Sequence, residues 1–150
     1  MSTLLIVEDG TEYLEFFRLF IKEKHQYRHA QTGAAAIGIL EEEPVDMVIL
    51  DMRFDRCEPD DLLGDIAKVA AEYFGGDAGR AQRYVEENQG TLILSAMREA
   101  GYDQPVLFVH DMPERKLENL RGLYGRVHVV PHFDAAIIRQ EIAAALEEER

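Results

Sequence analysis

Asp46-Met47-Val48-Ile49-Leu50-Asp51 is the stretch on which the fold of this chain turns. Met47 to Leu50 is an apolar run too short for a helix and apolar at both alternating positions, which predicts a strand buried on both faces of a sheet. It ends in a carboxylate, Asp51. Near the N-terminus the pattern occurs again, Leu4-Leu5-Ile6-Val7 running into Glu8-Asp9-Gly10. Between the two runs, Tyr13, Phe16, Phe17, Phe20 and Ile21 follow the i, i+3, i+4, i+7, i+8 spacing of a helix with one face on a core. Tyr27 to Gln31 reads as a weak strand, Thr32-Gly33 as a turn, and Ala34 to Glu43 as a helix stopped by Pro44.

Downstream of Asp51 about forty residues pass before the next strand-like run, Pro105 to Val109. Leu62, Leu63, Ile66, Val69, Ala70 and Tyr73 carry helical spacing, Gly75-Gly76 breaks it, and Ala81, Tyr84 and Val85 resume it before Gly90. The reading is a helical hairpin inserted over about 54–90. Leu92 to Ala100 is a core helix, with Gly90 either its boundary or an interior glycine tolerated at ~1 kcal/mol. Pro113 opens a helix to about Tyr124, Val127 to Val130 is a strand, and Asp134 caps a last helix whose Ile138, Ile142 and Ala145 face inward beside Leu146. The acids Glu147-Glu148-Glu149 oppose the helix dipole, so a solvated, frayed end is expected there. The expected fold class is α/β, a doubly wound five-stranded parallel sheet with a helical insertion between the third strand and the third core helix, in one domain over 1–150.

Hydrophobic residues at 47% and charged residues at 30% exclude a disordered chain, and no apolar run approaches the ~20 residues that span a bilayer. The net charge of -13 disfavours nucleic acid and anionic membrane as partners. Cys57 has no second cysteine to pair with, and Met1 to Asp9 lacks the basic start and cleavage site of an export signal. A cytoplasmic protein with protein partners is expected.

In such folds ligands bind outside the carboxyl ends of the strands, where Glu8, Asp9 and Asp51 lie on neighbouring strands. Their carboxylates are expected to converge. Two like charges ~4 Å apart repel by ~4 kcal/mol at an effective dielectric of 20, so the cluster calls for protons or a hard cation such as magnesium. Asp51 could then serve as a nucleophile.

Leu5-Ile6-Val7-Glu8-Asp9 and Asp46 to Asp51, in this βα register, resemble the receiver domains of bacterial two-component response regulators. The resemblance covers 4–52 well and 92–147 reasonably. It implies a flavodoxin-like strand order 2-1-3-4-5. It also implies that Asp51 accepts a phosphoryl group, that Asp9 and Asp51 bind Mg2+ directly with the Arg53 backbone carbonyl, and that Glu8 assists through water. The implied partners are a histidine kinase or phosphotransfer protein and a downstream signalling protein, with a homodimer as an option. The surface formed by the fourth helix, fifth strand and last helix would carry the output, since no output domain is expected to follow.

Three positions depart from the family. His110 stands where a Ser or Thr is usual, Pro131 where a lysine is usual, and His128 where an aromatic switch residue is usual. Hydrogen bonds to charged groups contribute roughly 1.5–3 kcal/mol each, so losing two could remove much of the ~5.5 kcal/mol that reverses a two-state equilibrium. A protonated His110 or the Arg53 side chain is the available replacement, although an ion pair of Arg53 with Asp55 or Glu58 is the simpler role. A second reading is a partner-binding pseudo-receiver that is never phosphorylated. A rival of another class is a magnesium-dependent Toprim-like phosphoryl-transfer enzyme, which fits Glu8 but would need an acid where Arg53 stands.

Overall fold

The computed structural model describes residues 1–148. Five strands form one parallel sheet: β1 (Ser2–Val7), β2 (His25–Ala30), β3 (Met47–Leu50), β4 (Val106–Val109) and β5 (Val127–Val130), in the order β2-β1-β3-β4-β5. The helices are α1 (Glu12–Phe20), α2 (Gly33–Glu42), α3 (Ile66–Tyr73), α4 (Ala78–Glu87), α5 (Gln89–Glu99), α6 (Glu114–Tyr124) and α7 (Ala135–Glu148), with a 3-10 turn at Pro59–Asp61.

The strands lie where apolar runs are continuous, because β1, β3 and β4 bury both faces. Alternate side chains serve two cores. Leu5, Val7, Val48, Leu50, Val106 and Phe108 pack with α2, α5 and α6, while Leu4, Ile6, Met47, Ile49, Leu107 and Val109 pack with Tyr13 and Phe17 of α1 and with Ile138, Ile142 and Ala145 of α7. The edge strand β2 begins at His25, earlier than the expected Tyr27, because its ladder to β1 extends back to the pair Ser2 and His25. That extension is set by backbone pairing and leaves no mark in the hydrophobic pattern.

The hairpin expected over about 54–90 is α3 and α4, turned by Gly75 and Gly76 at φ of 61° and 88°, conformations that favour glycine. It is tied into the main core, where Leu62 and Val85 are buried with α5 residues Ile93 and Leu94. Only Asn88 separates α4 from α5. The helix boundary falls beside Gly90, which is the second residue of α5 and donates its N–H to the Met52 carbonyl at 2.9 Å. A Cβ there would stand 2.5 Å from the Asp51 carbonyl oxygen and 2.8 Å from Met52 Cα. Its lack of a side chain lets α5 press on the backbone that carries Asp51.

The frayed acidic end is corrected over the described residues. Helix α7 continues through Glu148, whose carboxylate meets His128 Nε2 at 2.7 Å, while Glu141 meets Nδ1 at 3.2 Å. The histidine ring supplies the hydrogen-bond partner that the dipole argument left out. Glu149 lies outside the described residues. No described helix is long and apolar enough to cross a membrane.

Candidate functional site at the carboxyl edge of the sheet

Val7 of β1 pairs in register with Leu50 of β3, and Asp51 donates its N–H to the Val7 carbonyl at 2.9 Å, so the two acidic strand ends leave the sheet side by side. They open on a pocket of about 280 Å³ whose walls include Glu8, Asp9, Tyr13, Asp51, Arg53 and Arg56. Each acid has a different local task.

Glu8 is buried, and its carboxylate accepts the N–H groups of Tyr13 at 2.9 Å and Leu14 at 3.0 Å. These are second- and third-position amides of α1, whose N-cap Thr11 makes no side-chain cap of its own. Glu8 therefore does the capping, with its carboxyl group set on the positive end of the helix dipole. His29 Nε2 of β2 lies 3.2 Å from the same carboxylate. Asp9 accepts the Arg56 backbone N–H at 2.6 Å, and the Arg56 guanidinium pairs with Glu12 at 2.7 Å. The segment after β3 is thereby folded across the pocket.

Asp51 Oδ1 accepts the Tyr13 hydroxyl at 3.2 Å and, at a longer 3.4 Å, the Arg53 backbone N–H. Burial above all, and then the charges of Asp9 and Glu8, push its carboxyl up to about 6, against the opposing pull of these two donors. Burial, then the neighbouring Asp51 charge, pushes the Tyr13 phenol well above its ordinary value, so its hydroxyl remains a donor.

The three carboxylates converge on one pocket as expected, but among the described residues no three His, Cys, Asp or Glu side chains are gathered to hold a metal ion. The reason is local, because Glu8 is spent on the helix amides. Asp9 and Asp51 still share the pocket, and a hard divalent ion needs only one or two carboxylates with waters. A half-buried carboxylate disfavoured as an anion beside a second one is a donor set that a magnesium ion would relieve.

The three atypical positions lie elsewhere. His110 donates its backbone N–H to the Val130 carbonyl at 2.9 Å, and its half-buried ring is absent from the pocket walls. Burial, then Lys116, lowers its basicity. That opposes the protonated His110 expected as a replacement cation. His128 is clamped between Glu141 and Glu148 of α7. Pro131 is exposed after β5. Arg53 pairs with Asp55 at 3.6 Å on the surface, the simpler of its expected roles.

Three contributors were missing from the sequence reading: Tyr13, Arg56 and His29. Tyr13 stood in the apolar helical stripe, and only its place in the first turn after Asp9 hinted that its hydroxyl would reach a strand end. Nothing local marks Arg56 or His29, which arrive from other elements.

Solved structures share the fold that carries this site. The receiver domain of the Francisella response regulator 1452 matches with a TM-score of 0.65 and 13% identity over 100% of both chains. The fold is that of a response-regulator receiver domain. A CheY-like response regulator receiver domain protein from Methanospirillum hungatei shares the receiver fold at a TM-score of 0.65 and 14% identity, over 99% of this chain and 96% of that one. A two-component response regulator from Clostridium difficile does so at 0.66 and 12%, over 100% and 99%. No protein-family model and no curated protein sequence matches the chain. At such identities the receiver fold is what is shared, and the site must be argued from its own residues.

Proposed function

We propose that the protein is a signal-transduction receiver in which Asp51 accepts a phosphoryl group from a histidine kinase or a phosphotransfer protein of the cytoplasm. The observation that carries this reading is Asp51 itself, a half-buried carboxylate pushed up to about 6, open to a pocket and beside Asp9 at the carboxyl edge of a receiver fold. One Asp51 oxygen attacks the phosphorus. The bond from phosphorus to the donor's nitrogen or acyl oxygen breaks, the donor leaves with the electron pair, and an acyl phosphate remains. Asp9 and Asp51 would hold Mg2+ with the Arg53 carbonyl, and bound magnesium supplies neutralisation of the charge on the transferred group. Glu8 keeps α1 seated so that Tyr13 reaches Asp51, and would meet the ion only through water. A downstream signalling protein, or a second copy of the chain, would read the outcome on the surface of α6, β5 and α7.

The test is a calorimetric magnesium titration of the unmodified protein, Asp9→Asn and Asp51→Asn, followed by incubation with labelled acetyl phosphate. The expected result is one magnesium site weakened at least about tenfold in either variant, which corresponds to ~1.4 kcal/mol. One alkali-labile label per chain, absent in Asp51→Asn, is expected as well. Release of phosphate over many turnovers would instead indicate an enzyme of the Toprim type.

One observation favours a second reading, a partner-binding module that works without phosphorylation. Pro131 supplies no cation where the family resemblance implies a lysine, and the Arg53 side chain pairs with Asp55 at 3.6 Å. On that reading magnesium binds but no label is retained.

A further inference from the structure

Tyr13 has one hydroxyl proton and two acceptors. Its oxygen lies 3.2 Å from Asp51 Oδ1, at the end of β3, and 3.1 Å from the Val109 carbonyl, at the end of β4. A phenol carries a single O–H, so at any instant one acceptor is fully served and the other is not. The bond to an ionised carboxylate is charge-assisted and roughly twice as strong as one to a neutral carbonyl, so a free Asp51 carboxylate holds the proton. An Asp51 oxygen engaged by a cation or a phosphoryl group has less charge to offer, and the balance turns toward Val109.

The ring that carries this hydroxyl is coupled to the surface. Phe133, just before α7, stands edge-on to Tyr13 with centroids 4.8 Å apart and planes at 84°. Phe16 lies 4.8 Å from Phe133, and Phe20 lies 5.0 Å from Phe16. Phe133 is 41% exposed and Phe20 53%. An aromatic row therefore runs from the carboxylate to solvent between α1 and the start of α7.

We propose that Tyr13 is the positioning residue that reads the state of Asp51. Its hydroxyl is held by the free carboxylate and released to the Val109 carbonyl when the carboxylate is occupied. The ring's displacement is felt by Phe133 and then by Phe16 and Phe20. The inference rests on the reading of Asp51 as a phosphoacceptor. It supplies a hydroxyl from α1 to a pocket whose walls lack the side chains of His110 and Pro131.

The experiment is carbon-detected NMR of the full chain, labelled at the Tyr and Phe rings, at one fixed pH, before and after adding magnesium and beryllofluoride. That fluoride complex adds to a carboxylate oxygen as a stand-in for a phosphoryl group, and its fluorine signal reports occupancy. Tyr13→Phe, which keeps the ring and removes the hydroxyl, is measured alongside, and only molecules showing the bound fluorine signal are compared. The expected result is that the Tyr13 ζ-carbon and the Phe133 ring resonances move in the unmodified protein, while Tyr27 does not. The Phe133 shift should fall by at least about half in Tyr13→Phe. A bound fluorine signal with an unmoved Tyr13 ζ-carbon overturns the inference and leaves the reading of Asp51 intact, whether or not the variant folds. An equal Phe133 shift in both proteins does the same. Absence of any bound fluorine signal in the unmodified protein overturns both.

Discussion

Asp51 is a carboxylate that ionises less readily in the folded chain than in the unfolded one, and the difference has a sign that can be measured. Its folded value of about 6 lies above the ordinary 3.8. Below the lower value both folded and unfolded states are neutral, and the full contribution to stability is present. As pH rises through about 6 the unfolded state ionises more readily than the folded one, and that contribution is lost. Asp51→Asn, permanently neutral, is therefore expected to stabilise the metal-free protein on the order of 2 kcal/mol at neutral pH and to lose that advantage in acid. Thermal unfolding at the two pH values checks it. An equal effect at both would mean that the carboxylate is not disfavoured by its surroundings. At this scale the sequence was half legible. The acids at strand ends announced themselves, because a charge terminating a buried strand has few uses. Glu8 as the cap of α1 and Tyr13 as a polar donor were hidden, since each depends on which way one side chain turns.

Elements show the complementary pattern. β1, β3, β4 and β5 were legible because residues buried on a parallel sheet form continuous apolar runs, whereas the start of β2 depends on backbone pairing along a half-exposed edge. The contact of α5 with the backbone just after β3 was not legible, because a glycine near a helix start looks alike whether it is tolerated or required. Gly90→Ala is expected to destabilise the protein by at least ~2 kcal/mol and to weaken magnesium binding, since the added methyl meets the Asp51 backbone. Gly38→Ala, inside α2 with open space around it, is expected to stabilise by roughly 0.5–1 kcal/mol. Denaturant midpoints of the two variants should move in opposite directions. Gln89 offers a third check. Fully buried at the start of α5, its amide accepts from the Leu63 N–H at 2.8 Å and donates to the Leu63 carbonyl at 3.0 Å, clasping the chain ahead of the α3–α4 hairpin. Gln89→Leu leaves both backbone groups unpaired, and a loss of about 2–4 kcal/mol is expected in the same measurement.

For the whole molecule, a net charge of -13 means that the folded chain works against its own repulsion. Sodium chloride is expected to raise the melting temperature of the metal-free protein by screening. Magnesium at matched ionic strength is expected to raise it further, and only that further increment should vanish in Asp51→Asn. The parallel sheet and its two-sided core followed from the βα alternation of the sequence, and the strand order from the family resemblance, yet none of these decides whether the pocket performs chemistry. That rests on Asp51. The most direct measurement is the intact mass of the protein after incubation with magnesium and acetyl phosphate, with Asp51→Asn treated in parallel. One added phosphoryl group, lost on chelation of magnesium beforehand and absent in Asp51→Asn, is the result expected; an unchanged mass in a protein shown to bind magnesium, or an adduct that persists in Asp51→Asn, would contradict the assignment of Asp51 as the phosphoacceptor.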